Sequence, residues 1–258
     1  MSEAAVLFER FTPHIALVTL NRPDKKNAIN GDITKGLSEA IKTVEDDPEL
    51  RVAILAANGN VFCAGVDLGE VAAGRGAACN TPTGGFAGFV KEPRTKPWIA
   101  AIDGLALGGG FELMLTCEMA VISETSKLGL PEVKRGLMAA AGGVFRVGTS
   151  LPRVIANEIV TTGLPLSADR ALQYGVVNRV VETGKAIEVA TELAEEIASN
   201  APISVVESLK LTKVANDNTE SQLWDMNTAA MKIVMSSVDA KEGPRAFMEK
   251  RAPIWQGK

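Results

Sequence analysis

Two short apolar runs, Ile15-Ala16-Leu17-Val18-Thr19-Leu20 and Val52-Ala53-Ile54-Leu55-Ala56, flank a stretch in which Ile33, Leu37, Ile41 and Val44 recur at helical spacing. Runs this short and rich in β-branched residues read as buried strands. The first is closed by the turn Asn21-Arg22-Pro23-Asp24 and the second by Asn58-Gly59-Asn60. Asn30 or Asp32 is placed to cap the helix between them, and Asp46-Asp47-Pro48 ends it. Strand, helix, strand implies a right-handed parallel crossover, which restricts the chain to the α/β class.

The alternation continues along the chain. Residues 98–102 form a third strand, and Asp103-Gly104-Leu105-Ala106-Leu107-Gly108-Gly109-Gly110 reads as a Gly-rich turn into a helix that begins near Phe111. Residues 119–122 are strand-like and lead to a turn at Leu130-Pro131-Glu132. Residues 72–88 mix Gly, Ala and Thr with little periodicity, which predicts a mobile surface segment suited to substrate access. Beyond Gly142, helices are expected over 154–161 and 168–174, then one more strand over 176–181. From Ile187 onward only helices are expected, among them 188–198, 203–214 and 221–235. The composition shifts at Asn200-Ala201-Pro202, so an α/β core over residues 1–199 and a helical part over 200–258 are expected.

Composition removes several function classes. A net charge of -4 and a pI near 5.3 provide no broad positive field to hold a nucleic acid. No run approaches 18 uncharged apolar residues, and the N-terminal stretch through Arg10, with Glu3 and Glu9, lacks the apolar core of a signal peptide. Gln256-Gly257-Lys258 is neither a peroxisomal nor a prenylation motif, so a cytoplasmic location and no membrane partner are expected. Cys63, Cys79 and Cys117 are odd in number and never spaced as C-x-x-C, which argues against a disulfide framework or a zinc ribbon. The chain has one histidine, His14, which follows Pro13 at the start of a strand and reads as a strand-edge residue. His-rich metal sites are therefore excluded, and acid–base chemistry falls to other side chains.

A helix opening at Gly108-Gly109-Gly110 leaves backbone N–H groups without intrahelical partners at the positive end of its dipole. Such an end attracts an oxyanion, although a tight turn with close strand–helix packing explains the same glycines. The run fits neither common phosphate loop: no Lys-Ser or Lys-Thr follows it, and its spacing is not G-x-G-x-x-G. Glu112 falls in the first turn of that helix, either as a neighbour of whatever the amides bind or as a surface carboxylate that favours the dipole. Glu132 follows Pro131 in a turn, either solvated or projecting into a cleft. Together the two resemble a general acid/base pair, with mutual repulsion and burial raising at least one pKa.

At this point the chain resembles the enoyl-CoA hydratase/isomerase (crotonase) superfamily along nearly its whole length. The similarity rests on Leu20-Asn21-Arg22-Pro23 with Asn27-Ala28, Phe62-Cys63-Ala64-Gly65-Val66-Asp67-Leu68, Lys96-Pro97-Trp98-Ile99-Ala100-Ala101-Ile102-Asp103-Gly104 and Leu107-Gly108-Gly109-Gly110-Phe111-Glu112-Leu113. It continues through Leu130-Pro131-Glu132, Gly142-Gly143, Glu242-Gly243, Ala246-Phe247 and Glu249-Lys250-Arg251. The resemblance implies a ClpP-like spiral of repeated ββα units and a C-terminal helical trimerisation region, with assembly as a trimer or as a hexamer of two trimers. It implies an acyl-CoA thioester as substrate, with no metal and no cofactor.

By the same resemblance, the Val66 and Gly109 N–H groups form the oxyanion hole, Glu112 activates the water that reaches the β-carbon, and Glu132 exchanges the proton at the α-carbon. The spacing of 20 residues between positions 112 and 132 is that of hydratases. Coenzyme A contacts are implied at Lys25, Ala28, Ala64, Asp67, Leu68, Gly108 and Pro131, with Phe247 and Lys250 offered from the C-terminal region. Arg22, Lys25, Lys26 and Lys250 also read as a solvated charged face.

Three features depart from the family pattern. Val66 stands where many members carry Ala, which narrows the space beside its amide. Met138-Ala139-Ala140-Ala141 replaces a Pro-Gly-type segment, and Phe145-Arg146 replaces Gln-Arg. Residues 142–146 and 156–160 look similar to carnitinyl-CoA dehydratases, an alternative within the same chemistry, as is an isomerase. The alternative from another class is a catalytically silent oligomeric binding or scaffold member.

Overall fold

The computed structural model describes residues 4–258; of the N-terminal stretch read above, Met1, Ser2 and Glu3 lie outside the described residues. The described residues form twelve strands: β1 (Val6–Arg10), β2 (Ile15–Leu20), β3 (Val52–Ala57), β4 (Val61–Cys63), β5 (Asn80–Thr81), β6 (Gly85–Phe86), β7 (Trp98–Ile102), β8 (Leu105–Leu107), β9 (Met119–Ser123), β10 (Lys127–Gly129), β11 (Leu166–Ser167) and β12 (Arg179–Val181). The α-helices are α1 (Gly31–Asp46), α2 (Leu68–Ala72), α3 (Gly109–Met114), α4 (Gly143–Ser150), α5 (Arg153–Thr162), α6 (Ala168–Gln173), α7 (Ala186–Ala198), α8 (Pro202–Val214), α9 (Glu220–Ser236) and α10 (Asp239–Glu249).

The larger sheet has six strands in the order β1-β2-β3-β7-β9-β12, and β2, β3, β7, β9 and β12 pair in parallel. The crossover inferred from residues 15–56 is thus present, with Ile15 opposite Val52. Its helix begins where Asn30 accepts a hydrogen bond from the Ile33 N–H at 3.0 Å, which satisfies one orphan donor of the first turn. The inward face of α1 buries Ile33, Leu37, Ile41 and Val44, and each such aliphatic side chain contributes about 1.5–3 kcal/mol.

Side-chain alternation sorts the strands between two cores. Ile15, Ile54 and Ile99 point to a layer made by Ala186, Ala190, Ala194 and Ala198 of α7, whose small side chains at every fourth position let the helix lie close to the sheet. Ala16, Val18, Leu55 and Ala100 point the other way, into the larger core that holds α1, Phe62, Trp98 and Phe111.

A second sheet of four strands, in the order β11-β10-β8-β4, turns this stack into a spiral. The chain runs β3, β4, α2, then β7, β8, α3, then β9, β10 and a 3-10 turn at Pro131–Arg135, so each circuit adds one strand to each sheet and then a helical segment. Because β4, β8 and β10 are parallel, their carboxyl ends lie side by side, and the segments that leave them emerge at one edge. Ligands of parallel sheets gather at such carboxyl ends.

Two expectations need correction and a third a refinement. Residues 103–110 are not all turn, because β8 occupies Leu105–Leu107 and only Gly108 separates it from α3. The strand expected over 176–181 is shorter, Arg179–Val181. Residues 72–88 are largely exposed, as expected, but they carry more order than their composition suggested, a 3-10 turn and the β5–β6 ladder, with Cys79 and Ala87 fully buried. Its Gly-rich composition hides this because the buried contacts come from isolated residues with no period.

Candidate active site

The three segments that leave β4, β8 and β10 carry the residues in question. After β4, the stretch 64–67 is zipped to the loop 26–29: Ala64 N–H donates to the Lys26 carbonyl at 3.1 Å, Ile29 N–H to the Gly65 carbonyl at 2.8 Å, and Asp67 N–H to the Ile29 carbonyl at 2.9 Å. In this parallel pairing the partners are residues 65 and 67, so the Val66 N–H faces away from residue 29. Among the described residues it donates to no protein acceptor. The Asn27 side chain, fully buried, fixes the loop by accepting from Arg22 N–H and donating to the Asn58 and Val61 carbonyls.

After β8, Gly108 N–H donates to the Gly129 carbonyl at 2.8 Å, and α3 opens at Gly109, whose N–H precedes the first intrahelical donor, Glu112. Gly65 lies against this helix start. With φ of 95°, a Cβ there would be 3.2 Å from the Gly109 nitrogen and 3.2 Å from the Leu107 carbonyl oxygen. Only a residue without Cβ lets the two amide-bearing turns approach this closely.

Glu112 sits one turn into α3 and is 3% exposed. Its Oε1 accepts the Gly143 N–H at 2.8 Å from the start of α4. Glu132 follows β10 in the 3-10 turn. Its Oε1 lies 2.9 Å from where a Gly108 Cβ would be, and its Oε2 is buried with no hydrogen-bond partner among the described residues. Both carboxyls line one cavity of about 930 Å³, together with Val66 and Gly109.

Burial pushes the Glu112 carboxyl above its ordinary value of 4.5, and the nearby Glu132 charge adds to this, while the Gly143 N–H pulls it back. Burial also raises Glu132, opposed by its own backbone N–H and by Arg135. In the interval between about pH 4.5 and these raised values, the folded protein holds protons that the unfolded chain has released, so stability falls as pH rises through that interval. Glu112→Gln removes this penalty while keeping an oxygen for the Gly143 N–H. Thermal melts from about pH 5 to about pH 8 are expected to show wild type losing Tm relative to Glu112→Gln as pH rises. Parallel curves would contradict the raised pKa.

Of the residues implied for coenzyme A, Lys25, Ala28, Ala64, Asp67, Leu68, Gly108 and Pro131 all line the cavity. Asp67 is committed internally: Oδ1 accepts the Gly69 N–H at 3.0 Å and Oδ2 faces Arg22 at 3.3 Å. Phe247 and Lys250 do not line the cavity within the single chain. They stand at the end of α10, Phe247 84% exposed, because Asp239 at the start of that helix accepts the Gln256 and Gly257 N–H groups and anchors it elsewhere. His14 lies at its strand edge, Nδ1 2.8 Å from the Glu49 carbonyl.

Two contributors escaped the sequence reading. The Phe86 ring presses on Gly109, and Arg146 donates to the Ala141 carbonyl at 3.0 Å and the Val90 carbonyl at 2.8 Å, clamping the turn that carries Gly143. Neither follows from a period or a motif, since each acts across more than 20 residues of chain or through a backbone atom.

Two buried carboxyls beside two unpaired amides can move protons around a carbonyl whose oxygen gathers charge. On an α/β spiral such an arrangement suits acid–base chemistry beside main-chain donors. The family model for enoyl-CoA hydratase/isomerase matches residues 10–258. A carnitinyl-CoA dehydratase of Salmonella typhi is 40% identical over 247 residues, which covers 93% of this chain and 94% of that protein. The crystal structure of an enoyl-CoA hydratase from Mycobacterium tuberculosis H37Rv is similar with a TM-score of 0.93 and 41% identity, covering 99% of this chain and 100% of the other. That of a carnitinyl-CoA hydratase from Mycobacterium avium gives 0.79 and 41%, with 100% of both chains covered. The chain belongs to the enoyl-CoA hydratase/isomerase family.

Proposed function

We propose that the protein is an enoyl-CoA hydratase, adding water reversibly across the α,β double bond of an acyl-CoA thioester. The observation that carries this is the shared cavity, lined by Glu112 and Glu132 near the start of α3, with the Val66 and Gly109 amides donating to no protein acceptor among the described residues. The thioester oxygen accepts from these two N–H groups. Glu112 takes a proton from water as its oxygen bonds to the β-carbon, electrons pass through the former double bond to the thioester oxygen, and Glu132 delivers a proton to the α-carbon as the carbonyl re-forms. Each amide donor counts for about 3–4 kcal/mol of barrier in comparable sites. Lys25, Ala28, Ala64, Leu68, Gly108 and Pro131 hold the coenzyme A portion, and the scheme uses no metal or cofactor.

The test is loss of the enoyl absorbance of crotonyl-CoA on adding the protein. Steady turnover supports the reading, and none with any enoyl-CoA would leave the scaffold alternative. A carnitinyl-CoA dehydratase is the second reading, favoured by the name of the Salmonella typhi relative.

Self-association is part of the same proposal. Trp224, Met231 and Met235 on α9 and Phe247 and Met248 on α10 are large apolar side chains left exposed on two successive helices, which suits a contact with further copies of the chain. Sedimentation is expected to give a multiple of 27.2 kDa, a trimer or hexamer; a monomer at micromolar concentration would contradict it.

A further inference from the structure

Where the cavity carries charge and where it is apolar bears, on the hydratase reading, on the acyl group. At one end, Arg22 is occupied by Asp67 and the Ala28 carbonyl, and Lys25 and Lys26 stand beside Ala28 and Ala64. The other end is closed where the Arg146 guanidinium joins the Val90 and Ala141 carbonyls, so that residues 86–91 and 138–141 meet. Phe86, Val90 and Ala141 line this end with apolar surface. Lys91 follows directly, its Cγ and Cδ 3.1 Å from where a Gly85 Cβ would be, and it lines the cavity without an ion-pair partner among the described residues.

The cavity's carboxylates among the described residues are Asp67, which Arg22 occupies, and the reacting pair; its aromatic side chain is Phe86. A quaternary ammonium is held by a carboxylate or by a cage of aromatic faces. One ring beside the unpaired Lys91, in a cavity that Lys25, Lys26, Lys134 and Arg135 also line, is neither. We infer that the acyl end favours an enoyl-CoA whose far group is a carboxylate over one whose far group is a quaternary ammonium, and that Lys91 sets this selection. The trimethylammonium of a carnitinyl group is the disfavoured kind, so the inference weighs against the second reading given above.

Two CoA thioesters test it, alike in their but-2-enoyl frame and differing at C4: 4-carboxy and 4-trimethylammonio. Wild type is expected to show kcat/KM at least about tenfold higher for the carboxylate, and Lys91→Glu, at an exposed position, to shift that ratio by about tenfold or more toward the ammonium, on the order of one charge interaction reversed at a partly solvated site. A wild-type preference for the ammonium ester, or an unchanged ratio in Lys91→Glu, would overturn the inference. If neither thioester nor crotonyl-CoA turned over, the hydratase reading would fall instead. Calorimetric affinities for the two saturated analogues would then decide the selection by themselves, equal affinities overturning it and tighter binding of the carboxylate supporting it.

Discussion

Glu132→Gln is expected to lower kcat for hydration by about 10³-fold while KM stays within roughly threefold of wild type. The amide fills the same volume but cannot hand a proton to the α-carbon and take it back. Because Glu132 Oε2 has no protein hydrogen bond to lose among the described residues, the substitution removes chemistry without removing structure. Glu112→Gln is expected to lose a similar factor by failing to deprotonate water, while the Gly143 N–H keeps an acceptor. The two residues act in one step, so the double variant is expected to lose far less than the product of the single losses. Stopped assays with purified variants measure this. Retention of more than about a tenth of wild-type kcat by either single variant would remove that carboxyl from the reaction.

The second large effect concerns Gly109. A Cβ there would fall 2.4 Å from Cε1 and 2.6 Å from Cζ of Phe86, so the ring or the helix start must shift. A displaced helix start moves the N–H away from the developing oxyanion, and Gly109→Ala is expected to reduce kcat by about 10²–10³-fold. The clash is with a side chain, so Gly109→Ala combined with Phe86→Ala is expected to recover about tenfold or more of that loss. Wild-type kcat in Gly109→Ala, with normal folding by circular dichroism, would show that the amide's position is unimportant.

Much of this arrangement was legible before any coordinates. The helical spacing of Ile33, Leu37, Ile41 and Val44 between two β-branched runs gave the crossover, because burial of one helix face and both strand faces leaves a periodic trace in the chain. The Gly108–Glu112 turn was legible as an amide-rich helix start, and Glu112 and Glu132 as an acid–base pair, whereas their separate roles came from family resemblance. The short strands β4, β8 and β10 left little trace, since segments of three residues are too short to show alternation. Yet their parallel pairing is what places positions 66, 109 and 132 together. Phe86 was invisible for a related reason: a lone aromatic in a Gly-rich stretch carries no period, and its contact with Gly109 exists only in three dimensions. The expected roles of Phe247 and Lys250 followed the family motif, whereas their position within one chain follows the anchoring of α10 by Asp239.

The most direct measurement is the fate of solvent isotopes in a but-2-enoyl-CoA incubated with the protein in ¹⁸O-labelled heavy water. If one carboxyl directs water to the β-carbon and its neighbour supplies the α-proton across a common cavity, the early product carries one ¹⁸O on the β-carbon and one deuterium on the α-carbon, and both labels vanish with Glu112→Gln and Glu132→Gln. Deuterium exchange without ¹⁸O incorporation, or labelling by either variant at the wild-type rate, would contradict it.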